Sequence, residues 1–176
     1  MSYRFLQFDW LMIVGACCRY DVGRREVTGS VRLYGAAHSG DDYLYSPGRS
    51  YVDLAADESG LWAIHAAAGD AAHILVSRLD TDAMAVTETW SIGVRHADYG
   101  QGFVVCGVLY LVRAGEAAPV DFAYDLYERR HVEDKVDETP EFNSPYGLTT
   151  ALAYNPRDRR LYAWDNGNQL TYPLIV

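Results

Sequence analysis

Long apolar runs are missing from this chain of 176 residues: the longest, Trp10 to Cys18, is nine residues, less than half of the ~20 an α-helix needs to cross a bilayer. That excludes membrane insertion as a helix. Positive charge is scarce as well. Fifteen Lys and Arg stand against 24 Asp and Glu, a formal net charge of -9, so the mean field repels nucleic acid and anionic lipid. The two small basic groups, Arg129-Arg130-His131 and Arg157, Arg159 and Arg160, read as solvated turns. Cysteine is rare and odd in number. Cys17, Cys18 and Cys106 cannot all pair within one chain, and their usage alone leaves the redox compartment open.

Signals for helices and for catalysis are also lacking. No segment sustains a helical period between caps, which excludes an α-helical domain. Catalysis would require convergent groups: a nucleophile with its base, paired carboxylates, or a metal-held water. No G-x-S-x-G, H-E-x-x-H, Walker-type loop or C-x-x-C is present, and His38, His65, His73, His96 and His131 have no paired ligand spacing. Asp57-Glu58-Ser59-Gly60 could form an acidic site, but it is also what a hairpin turn uses. There is no N-x-S/T glycosylation acceptor.

What the chain does have is a core-forming composition, with 49% apolar and 22% charged residues, at a length suited to one domain. Residues 1–18 imitate a secretory leader, Arg4 preceding a short apolar run, although Asp9 interrupts it. The alternative is a strand through Trp10-Leu11-Met12-Ile13-Val14, continuing to Arg19-Tyr20-Asp21-Val22.

A repeat organises the rest. Leu61-Trp62-Ala63-Ile64-His65, Leu109-Tyr110-Leu111-Val112-Arg113 and Leu161-Tyr162-Ala163-Trp164-Asp165 are spaced by 48 and 52 positions, a propeller-blade spacing of roughly 40–50 residues. In phase with them, Asp21, Asp80 and Asp125 each follow a strand, where the side chain can bond turn amides, and β-prone runs follow, the third being His131-Val132-Glu133. The predicted unit is a four-stranded antiparallel meander. Asp53-Ala56, Leu61-His65, Ile74-Leu79 and Ala85-Ser91 make one; Gly102-Val105, Val108-Arg113, Phe122-Tyr124 and His131-Lys135 a second. A third begins at Thr149-Tyr154 and ends one strand short. Trp164 and Tyr162 are expected to pack between units, Asn155-Pro156-Arg157-Asp158 to form a type I turn, and Asp165-Asn166-Gly167 a left-handed one.

Four segments in order, Asp53 to Ile64, Phe103 to Tyr110, Phe122 to Asp125 and Tyr154 to Gly167 (YNPRDRRLYAWDNG), resemble the olfactomedin domain. The likeness covers residues 40–176 well and 1–39 loosely. It implies an all-β fold, a five-bladed β-propeller truncated at its N-terminus, with residues 1–176 forming one partial domain of about three and a half blades. An open ring exposes strand edges, so a homo-oligomer is a possible state and a fragment is suspected. The family's disulfide joins an early Cys to the position of Cys106; Cys17 and Cys18 do not stand at that early position, so Cys106 is expected as a buried free thiol.

The resemblance also implies a calcium site in the central channel. Asp53 stands at its first carboxylate. Gln101 and Gly102 occupy the places of an Asn side chain and a small residue's carbonyl, and Leu152 that of another carbonyl. Ala153 replaces the second carboxylate. Gln extends the amide by a methylene, and calcium affinity depends on ligand charge count. The site is therefore expected to be degenerate and tight calcium binding absent, with Asp53 left as a strand-start residue bonding amides. By resemblance the function is a non-enzymatic, secreted, extracellular interaction module for matrix or cell-surface proteins, with Ala36-Ser50, Ala114-Val120 and Val136-Tyr146 as candidate binding loops. Two alternatives stay open: a propeller hydrolase using a channel metal, and a fragment without independent function.

Overall fold

The computed structural model describes residues 8–13, 15–48, 50–115, 119–137, 144–147 and 149–174. Fourteen strands form four antiparallel sheets among them. The first contains β1 (Phe8–Ile13), β2 (Ala16–Asp21) and β3 (Glu26–Arg32). The second contains β4 (Val52–Asp57), β5 (Gly60–Ala67), β6 (Asp70–Asp80) and β7 (Ala85–Ile92). In the third are β8 (Tyr99–Val105), β9 (Val108–Arg113), β10 (Val120–Asp125) and β11 (Arg130–His131), and in the fourth β12 (Thr149–Asn155), β13 (Arg160–Asp165) and β14 (Asn168–Pro173). Every sheet is a meander of sequence neighbours, and β4, β8 and β12 pack against one another.

One turn is built four times. Asp21 accepts the Arg24 amide, Asp80 those of Asp82 and Ala83, Asp125 those of Tyr127 and Glu128, and Asn155 that of Arg157, at 2.8–3.1 Å. Four positions beyond each acid or amide the chain turns left-handed, at Arg25, Met84, Arg129 and Arg159, with φ between 52 and 59°. Side-chain bonding to the turn offsets the roughly 1–2 kcal/mol that a Cβ costs there.

The sheets stack face to face around three cores. Cys17, Val31, Leu54, Leu61 and Ala63 join the first two sheets; Trp62, Ile64, Val104, Leu109 and Leu111 join the second and third; Phe103, Tyr110, Leu152, Tyr154 and Leu161 join the third and fourth. Burial on both faces is why β5 and β9 are nearly continuous apolar runs. The fourth sheet turns Leu161 and Ala163 to that core, which leaves Tyr162 and Trp164 on its other face. Trp164 is 47% exposed. The expected packing of Trp164 between units is therefore corrected by the alternation of its own strand.

Two further expectations change. The strand expected over His131–Lys135 stops at His131, and Glu133–Asp137 is a short helix, α1, with Glu133 and Asp134 in its first turn and Lys135 in its last, a charge order that suits the helix dipole. The segment 36–50 is no free loop. Ala36, Ala37, Leu44 and Tyr45 are buried, and its backbone is bonded to Tyr99, Ala66 and Ser50. Residues 116–118 and 138–143 of the other two candidate loops lie outside the described residues.

Asp57, at the turn between β4 and β5, ties the middle of the molecule together. It accepts the Ser59 amide and the Trp62 indole N–H at 2.8 Å, and across the sheet gap the Gly107 amide at 2.7 Å. Gly107 sits at φ +78°, and a Cβ there would lie 2.2 Å from the Tyr127 ring, so only glycine brings this amide in. Beside it, Glu58 accepts the Tyr154 hydroxyl at 2.5 Å and the Cys106 amide at 3.2 Å. Three sheets thus meet at one turn.

Asp57→Asn places amide hydrogens against N–H donors. It is expected to lower stability by about 3 kcal/mol, with Tyr154→Phe costing about 1–2 kcal/mol, in urea unfolding. A near-neutral D57N would overturn the role of this turn.

His65 yields a pH prediction. It is fully buried, its Nε2 is 3.0 Å from Ser77 Oγ, and that hydroxyl is 2.9 Å from Thr89 Oγ1. Burial lowers its pKa from 6.5 to about 4. Between these values the unfolded chain binds the extra proton, so stability present above pH 6.5 is lost as pH falls towards 4. The loss is expected to reach about 3 kcal/mol and to shrink in His65→Gln when unfolding midpoints are compared across that range. An acid loss of the same size in H65Q would refute it.

Candidate functional site

Asp53 and Asp57 lie four residues apart on β4 and so share a face, the one turned to the third sheet, yet their surroundings differ. Asp57 receives three N–H donors. Asp53 receives one side-chain donor, the Tyr45 hydroxyl, at 3.3 Å from Oδ2. It keeps a little accessible surface but lies deep between strands. Desolvation lifts its carboxyl to about 7, against the opposing bonds from Tyr45 and the Leu54 amide.

Gly102, buried on β8, completes this contact. A Cβ on it would lie 2.6 Å from the Tyr45 hydroxyl, 3.1 Å from Leu111 Cδ2 and 3.5 Å from Ile64 Cδ1. The absent side chain is what admits the phenol. The structure therefore brings Asp53 and Gly102 together through Tyr45, a residue that sequence reasoning missed because it lies eight positions upstream in a segment taken for a loop.

The remaining candidates lie on β8 and β12, the strands that pack with β4, and none is a carboxylate. Gln101 is partly exposed opposite Val112 on β9. Leu152 packs into the core between the third and fourth sheets, and Ala153 is buried opposite Tyr162. No group of three or more His, Cys, Asp or Glu able to hold a metal occurs among the described residues. With Ala153 lacking a carboxylate and Tyr45 donating to the single acid present, these residues do not fit a calcium ion.

Nor do the thiols or the other acids assemble a nucleophile. Cys106 is exposed, not buried as expected, because it occupies a left-handed turn position between β8 and β9. Its Sγ lies 3.5 Å from Glu58, and desolvation together with that carboxylate holds the thiol above its usual pKa. Burial pushes Cys17 up to about 12. Asp57-Glu58-Ser59-Gly60 is the structural turn described above. Asp165, fully buried, accepts the Ser144 hydroxyl and the Tyr146 amide at 2.9 and 3.0 Å.

Comparison with known proteins gives the family. Residues 14–176 match the olfactomedin-like domain. The chain is 32% identical to myocilin of Rattus norvegicus over 158 residues, 89% of this chain and 31% of that protein. It is 37% identical to olfactomedin-like protein 3 of Homo sapiens over 128 residues, 71% of this chain and 31% of that protein. The chain thus spans about a third of the length of these relatives. Among solved structures, Kuenenia stuttgartiensis hydrazine synthase aligns over 97% of this chain and 69% of its own, with a TM-score of 0.47 and 12% identity. The match over residues 14–176 and the identity to both relatives establish that the chain belongs to the olfactomedin-like domain family.

Proposed function

We propose that the chain is part of a five-bladed olfactomedin-type propeller and acts as a secreted, non-enzymatic module that binds matrix or cell-surface proteins. The observation that carries the reading is family membership over residues 14–176. The destination of the buried acids supports it. Asp21, Asp57 and Asp165 all accept structural hydrogen bonds, an arrangement that serves rigidity. Binding would fall to the surface, where Tyr34, Tyr127, Tyr146 and Trp164 stand 47–79% exposed; tyrosine and tryptophan give large contact area at low entropic cost. A net charge of -9 favours a partner with a basic face.

Biolayer interferometry on the immobilised chain, against purified matrix proteins and intact cells, is expected to show saturable binding that weakens as salt rises. The same preparation is expected to show no metal-dependent ester or lactone hydrolysis. Turnover in that screen without saturable protein binding would overturn the reading in favour of a propeller hydrolase.

A further inference from the structure

We infer that the centre of this fold is closed by the protein itself and is independent of calcium: the Tyr45 hydroxyl, admitted by the missing side chain at Gly102, bonds Asp53 where a hard cation would need converging oxygens. The inference rests on the family assignment and departs from what the resemblance implies for the family.

Calcium requires about six to eight oxygen ligands, several of them charged. Asp53 is the one carboxylate at the candidate positions, and its Oδ2 already accepts from the Tyr45 hydroxyl, with 3.3 Å between the oxygens. A cation bound there would have to expel that hydroxyl from a buried position, since Tyr45 is 7% exposed. Ala153 offers no charge to offset the exchange, and Gln101, on β8, is uncharged as well. Gly102 is the geometric key. Its backbone has no left-handed requirement; what a Cβ there would meet is the hydroxyl at 2.6 Å, the tightest contact, and Leu111 Cδ2 at 3.1 Å. Glycine at this position serves the approach of Tyr45.

The test is calorimetric melting of the whole chain in millimolar calcium and in chelator. The unmodified chain is expected to melt at the same temperature in both. Tyr45→Phe and Gly102→Ala are each expected to lower Tm by roughly 2–4 °C, equally in both buffers. The double variant Gln101→Asn, Ala153→Asp is expected to gain a calcium-dependent rise. A calcium-dependent rise in the unmodified chain overturns the inference, and so does a Y45F variant that melts like the parent. Should a variant fail to fold, terbium luminescence of the unmodified chain decides: absence of calcium-displaceable emission supports the inference, and its presence overturns it. Loss of protein binding in the interferometry assay, with these calcium results intact, would count against the proposed function alone.

Discussion

The Asp57 carboxylate sets the geometry on which the rest of the molecule depends. Sheets stacked through apolar side chains have no register of their own, because the hydrophobic effect is non-directional. A buried carboxylate with three directed N–H donors supplies that register. It closes the turn that carries it through Ser59, holds the Trp62 indole in the core between the second and third sheets, and takes the Gly107 amide of the next sheet. Glu58 extends the same turn to the fourth sheet through Tyr154. Charge-assisted bonds are about twice as strong as neutral ones, and unmaking one here leaves a buried group unpaired. The interface therefore resists sliding in a way that apolar contact alone does not.

The same strand shows how environment divides two like residues. Asp57 is surrounded by donors, whereas Asp53, two strand repeats away on the same face, receives one side-chain donor, the Tyr45 phenol. The first is a structural acceptor; the second is a carboxyl whose desolvation raises its pKa to about 7. A hard cation beside it would reverse that balance, but Ala153 brings no second carboxylate to hold one. The two ends of β4 thus differ in kind: the turn end is fixed by three directed bonds, the Asp53 end by burial and one phenol.

Much of this was legible in the sequence, because its causes are local. The Asp or Asn at the end of a strand predicts an Asx-bonded turn from neighbouring atoms alone, and Asp21, Asp80, Asp125 and Asn155 all form one. Asn166 and Gly167 turn left-handed as Asp165-Asn166-Gly167 requires. The meander order follows from short loops. What was not legible depends on partners distant in sequence. The Asp57–Gly107 bond spans 50 residues and the Glu58–Tyr154 bond 96, and no spacing announces either. Trp164 reads as core by its chemistry, but which face of β13 meets a neighbour is set by the stacking order. The segment 36–50 has the composition of a loop, yet Leu44 and Tyr45 are drawn inward because the second and third sheets leave room there, Gly102 above all.

These features separate what the fold needs from what a partner can use. Of the polar groups inside, Asp57, Asp165, Ser77 and the Nε2 of His65 are committed to neighbouring strands and turns. Large aromatics are instead left outside, on different sheets: Tyr127 beside the Trp62 edge on the third, and Trp164 and Tyr146 on the fourth. Rigid backbone beneath exposed aromatic rings lowers the entropy lost when a surface docks. On the proposed reading, a partner would be selected by which rings the sheets hold out to solvent, and the directed bonds around Asp57 fix the sheets that carry them.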